Sequence, residues 1–116
     1  MFLVNEMLIK KLDELENEYV DFLADICRIE SPTDFKEGVD AVGRYIIEKA
    51  QKRGWEIEIN KQEVSGDAIC ITMNPDATEK PVCFSGHIDT VHPVGLFKDP
   101  IVGFIVIFLW LFFISS

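Results

Sequence analysis

The chain has only three cysteines, Cys27, Cys70 and Cys83, an odd number, widely spaced and with no C-x-x-C pair. That excludes a disulfide framework as the source of its stability. Two of the three lie in apolar, strand-like runs, so they read as buried, reduced thiols of a cytoplasmic protein. Basic residues are scarce as well: 11 against 20 acidic ones, a net charge of -9. Such a surface repels nucleic-acid phosphates and anionic membrane surfaces, which excludes nucleic acid as a partner. The start, Met1 to Glu6, lacks the basic segment, apolar stretch and small-residue cleavage site of a secretory signal. There is no phosphate-cradling glycine loop, no internal repeat and no paired nucleophile and base.

What is present is patterned. From Glu6 to Ile29 the apolar positions Leu8, Leu12, Leu15, Tyr19, Phe22, Ile26 and Ile29 alternate steps of four and three. This predicts one long amphipathic helix, with Lys10, Lys11, Asp13, Glu14, Glu16 and Glu18 on the wet side. The register also permits a coiled coil, but Phe22-Leu23 and Ile26-Cys27 widen the stripe in a way that suits packing on a sheet. Ser31-Pro32-Thr33 ends the helix, because a residue before proline avoids helical geometry.

Asp34 is a candidate cap for a second helix, with Glu37 placed to complete a capping box. Val39, Val42, Tyr45, Ile46 and Ala50 predict its buried face, and Lys49, Lys52 and Arg53 suit its negative end. Gly54 is a natural stop. Trp55, Ile57 and Ile59 alternate with Glu56, Glu58 and Asn60, the pattern of a strand with one wet face. Val64-Ser65-Gly66-Asp67 signals a turn, and Ala68 to Met73 reads as a more buried strand. A third strand is expected from Pro81. The fold class is therefore α/β, with two N-terminal helices packed on a mixed β-sheet.

The apolar run Pro81-Val82-Cys83-Phe84 leads into Ser85-Gly86-His87-Ile88-Asp89-Thr90-Val91. On an extended segment side chains alternate faces, so His87 and Asp89 share one side and Ile88 faces the other. Imidazole is a common metal ligand, and its second nitrogen usually needs a carboxylate or carbonyl to fix it. Gly86 would allow a backbone or ligand to come close before the histidine. His92, ahead of Pro93, reads as a loop histidine, and Glu63 and Asp67 as solvated charges near turns.

The string Ser85–Val91 resembles the first metal-site motif of the M20 family of zinc-dependent peptidases and amidohydrolases. That family includes acetylornithine deacetylase-like, succinyl-diaminopimelate desuccinylase-like and glutamate carboxypeptidase-like enzymes. The resemblance runs from about the first helix to Val102, and the Ser-Pro-Thr turn is similar to the family's loop between its first two helices. It implies that His87 is a zinc ligand and that Asp89 is the catalytic-site carboxylate holding its ring. It also implies an amide or peptide small-molecule substrate, cleaved by metal-activated water in the parent enzyme. The bridging aspartate, the glutamate base and the later ligands of the family would lie downstream and are not in this sequence. A catalytic zinc takes about three protein ligands and a water, and His87 with its orienting Asp89 offers one firm ligand, so zinc binding is expected to be weak or absent.

After Val102 the resemblance stops. Residues 101–114 are wholly apolar but for Gly103, and Ser115-Ser116 follow. The expected division is 1–102 as the N-terminal part of an M20-like catalytic domain and 103–116 as an aberrant apolar tail. The reading is a truncated or frameshifted, inactive hydrolase fragment that self-associates through the tail. As a helix the apolar run would span about 21 Å, short of a hydrocarbon core of roughly 30 Å. The alternative is a small non-enzymatic protein held to a membrane or partner by that tail.

Overall fold

The structure, a computed structural model, describes residues 2–96. Two helices precede two strands: α1 (Phe2–Arg28), α2 (Lys36–Lys52), β1 (Glu56–Asn60) and β2 (Ala68–Thr72). The chain is thus mixed α/β. The expected tail, 103–116, lies outside the described residues, as does the end of the resemblance at Val102.

The core forms around α2. Val39, Val42 and Ala50 are buried on one side of this helix, as its periodicity predicts, and Tyr45 and Ile46 are half-buried. β1 and β2 pair antiparallel, with Ile57 opposite Ile71 and Ile59 opposite Ile69. These four side chains share one face of the sheet, since each strand alternates. Gly43 lets α2 come down on that face: a Cβ there would stand 2.8 Å from Ile69 Cδ1. An isolated two-stranded sheet is marginal in water, so packing on α2 is what sustains this one.

The end of α2 follows from its sequence. Gly54 takes a φ of +71°, and its N–H donates to Gln51 O at 2.9 Å while Trp55 N–H donates to Ala50 O at 3.1 Å. This pair of bonds closes a helix on a left-handed glycine. The start differs from expectation. Phe35, not Asp34, is the N-cap, and no side chain caps the helix. Phe35 N–H instead closes a turn onto Pro32 O at 2.9 Å. The proline turn sets the entry, which leaves Asp34 exposed one residue too early and Glu37 without a capping box.

Three further expectations are corrected. The sheet is not mixed among the described residues: it is a two-stranded antiparallel pair. The run from Pro81 forms no strand, because neither β1 nor β2 accepts its backbone; its ladder is reduced to one parallel bridge between Pro32 and Thr90. The thiols are not buried as a set either. Cys70 and Cys83 are exposed and Cys27 is half-buried, all three free, and burial raises the pKa of Cys27. Cys70 lies on the sheet face away from Ile69 and Ile71, where alternation puts it in water.

α1 does not lie on the sheet. None of its residues is buried, and its C-terminal half leans on α2 instead. Phe22 meets Tyr45 with ring centroids 5.7 Å apart, and Tyr45 Oη donates to Asp25 Oδ2 at 2.5 Å. That bond to a carboxylate pushes the phenol up to about 12. Arg53 pairs with Glu18. No helix among the described residues is long and apolar enough to cross a membrane.

Candidate functional site

The motif is held by the turn between the helices. Ser31 is buried, at 2% exposure, and its carbonyl accepts the Thr90 N–H at 2.8 Å. Thr33 N–H donates to Thr90 O at 3.1 Å, and Ser31 Oγ donates to Ile88 O at 3.3 Å. Thus Ser31-Pro32-Thr33 works as a short template for residues 88–90. Glu30 extends it by accepting the Gly95 N–H at 2.6 Å. Backbone groups that find no sheet partner are satisfied here by a turn.

Asp89 sits at the centre of this clasp. Its Oδ2 accepts the Thr33 hydroxyl at 2.7 Å, and its Oδ1 lies 3.6 Å from His87 Nδ1. His87 and Asp89 therefore do share one side, as alternation predicts. Their exposure differs sharply: the His87 side chain is 93% exposed and that of Asp89 28%. The carboxylate is fixed by the protein, and the imidazole projects beyond it into solvent. No described backbone makes the close approach at Gly86: no described atom comes within 4 Å of where a Cβ would stand, and the space beside it is open. His92 is half-buried in the loop after the motif.

An open groove of about 520 Å³ separates the motif from the sheet. Val39, Ile46, Ile69, Ile71 and Ile88 give it an apolar floor, and Thr33, Ser65, Asp67, His87 and Asp89 line it with polar groups. A largely apolar depression with a few convergent polar groups is the usual form of a small-molecule site, and this volume falls in the usual range.

Asp67 is the residue that sequence reasoning misplaced. It is not a solvated charge: its side chain is 10% exposed and accepts from Lys36 Nζ at 2.8 Å and Lys61 Nζ at 2.7 Å. The Gln62 N–H donates to it at 3.0 Å. Its own N–H donates to Asp40 Oδ1 at 2.8 Å, and Lys36 also reaches Asp40 at 2.9 Å. Lys36, then Lys61 and the Gln62 N–H, hold the Asp67 carboxyl well below the carboxylate range. The Asp67 N–H and then Lys36 lower Asp40, and the two carboxylates, Asp67 first, raise Lys36. This latch ties the β1–β2 turn to the first turn of α2 and fixes one wall of the groove. The i, i+4 spacing of Lys36 and Asp40 was the available signal. Glu63, by contrast, is exposed as expected.

A catalytic zinc takes about three protein ligands and a water. Among the described residues no three or more His, Cys, Asp or Glu side chains converge to hold a metal. Among the described residues, one histidine and one orienting carboxylate are fewer ligands than a catalytic zinc takes. Compared with known proteins, the chain matches no protein-family model, no curated protein and no solved structure.

Proposed function

We propose that this chain carries the first metal-site element of an M20-type zinc hydrolase, with His87 the metal ligand and Asp89 the carboxylate that holds its ring. The observation that carries the reading is the clasp on Asp89. One carboxylate oxygen is engaged by Thr33 and the other faces His87 Nδ1. A ligating imidazole is usually oriented by such a carboxylate through the nitrogen that does not bind metal. With Nδ1 toward Asp89, Nε2 is the nitrogen that can bind an ion. The similar arrangement in M20 enzymes serves the cleavage of amide or peptide bonds in small substrates, and the groove beside His87 and Asp89 is the place such a substrate would lie.

Among the described residues this element stands alone, with no further metal-ligating side chains converging on it. Zinc binding is therefore weak, and the isolated chain does not turn over amide or peptide substrates. The test is a zinc titration of the metal-free chain, followed through the His87 ring signals by NMR, with retained zinc and hydrolysis of an N-acyl amino acid measured alongside. His87 signals should move at high zinc, Asp89→Asn should weaken the response, and retained zinc after washing should stay well under one per chain. Zinc that leaves the His87 ring untouched overturns the ligand assignment. Tight, stoichiometric zinc with turnover lost in His87→Ala overturns the inactivity.

A further inference from the structure

We propose that α1 is a homodimerisation element: two copies of the chain pair through the exposed N-terminal half of this helix, parallel and in register. The steps of four and three extend back through Leu15, Leu12 and Leu8 to Asn5. In heptad terms Asn5, Leu12 and Tyr19 hold one core position, and Leu8 and Leu15 the other. The fold leaves this seam in water. Leu8 is 57% exposed, Leu12 49% and Tyr19 48%, whereas Phe22 and Ile26 below them are half-buried at the α2 end. Within the described residues nothing covers the upper half of α1.

Three features select a second copy as the occupant. Asn5 is the lone polar residue in the seam, and a single buried asparagine at this position specifies the register and number of strands in parallel coiled coils. The flanking positions are complementary in the same register. Lys11 of one copy falls opposite Glu16 of the other, twice per dimer by symmetry, and Val4 falls opposite Ile9. Lys11 touches Glu14 of its own helix at 3.5 Å and still keeps 64% of its side chain exposed, so it is available. Lastly, the polar side of α1 carries Asp13, Glu14, Glu16 and Glu18 against Lys10 and Lys11, an acidic balance. Helices that lie on lipid surfaces are usually rich in lysine and arginine on that side, so the acidic face argues against a membrane.

The full chain carries the test. Asn5→Cys should give, on mild oxidation, a disulfide that joins the two copies at position 5, identified by mass spectrometry of the linked peptide. Lys10→Cys, on the opposite side of the helix, should give no such link between the two copies at position 10. Lys11→Glu sets like charges against each other and should weaken the dimer roughly tenfold in sedimentation equilibrium. Lys11→Glu combined with Glu16→Lys should restore it. These are exposed charge changes, and circular dichroism should show the helix content unchanged. A chain that stays monomeric at high concentration overturns the proposal. So does association that ignores Lys11→Glu, which would place the contact in another segment, and so does loss of the dimer to vesicles of phosphatidylcholine and phosphatidylserine.

Discussion

α1 and α2 carry the same kind of apolar stripe and meet different fates. α2 buries Val39, Val42 and Ala50, while α1, ten residues longer, buries nothing. The difference lies in the segment that each helix leads into. α2 ends on Gly54 and turns at once into β1, so its stripe is met by the strand pair it precedes. α1 leads into a proline turn whose hydrogen bonds go to the motif, so only its last turns reach α2. A stripe specifies a face to be covered, and the connection decides whether a cover is at hand.

The strongest way to break this comparison is to put a charge into each helix. Val42→Asp places a carboxylate where the side chain is 2% exposed. With no cation built to meet it, it should lower stability by roughly 3–5 kcal/mol, enough to unfold a marginal domain. Urea denaturation followed by circular dichroism measures it. A loss well under 1 kcal/mol would mean that α2 is no more a core helix than α1.

The second prediction sharpens what holds α2 to the sheet. Asp67 has its folded pKa lowered from the ordinary 3.8, so its contribution is present above that value and is lost as pH falls below it. Lys36 is raised above 10.5, so its share is present at neutral pH and is lost as pH rises through the raised value. The denaturation midpoint should therefore fall between about pH 5 and 2 and again at the alkaline end. Asp67→Asn should remove most of the acid limb that comes from the latch. An acid limb unchanged in Asp67→Asn would assign the acid sensitivity to other carboxylates.

Much of the fold was legible in advance, and the reasons for the misses are local. Both helices, β1, β2, the Gly54 stop and the shared side of His87 and Asp89 follow from periodicity and turn chemistry, which depend on near neighbours. The run from Pro81 was misread because an apolar segment becomes a strand only where an edge takes up its backbone groups, and that edge is not encoded in the run itself. The exposure of Cys70 follows from alternation along β2, whereas its apolar neighbours suggested burial. Asp67 differs for a similar reason: besides the nearby Lys61, its partner Lys36 stands 31 residues away, and turn composition does not reveal it. The template role of Ser31 and Thr33 was visible only as a short resemblance, with no hint of the hydrogen bonds.

A third prediction concerns that template. Thr33→Val keeps shape and removes the hydroxyl that donates to Asp89. The bond is partly solvated, so the stability loss should be about 0.5–1 kcal/mol. The more informative readout is hydrogen exchange at the Thr90 N–H, bonded to Ser31 O at 2.8 Å. Faster exchange there, with α2 amides unchanged, would show that the clasp opens independently of the core. Equal acceleration throughout would make the turn part of the α2 unit.

The smallest effect is expected at Leu8→Asp, and it is the matched partner of Val42→Asp. Leu8 belongs to the stripe of α1 as Val42 belongs to that of α2, so sequence periodicity alone would rank them together. The side chain is 57% exposed, however, and a carboxylate there keeps most of its water. Leucine is the better helix former, a difference worth roughly 0.5 kcal/mol. In dilute solution, below the concentration at which α1 pairs with a second copy, the stability change should stay within about that amount. At high concentration the same substitution should reduce association, because it puts two carboxylates into the seam. A loss of several kcal/mol in the dilute chain would mean that the upper half of α1 is covered within one molecule, and the contrast between the two helices would disappear.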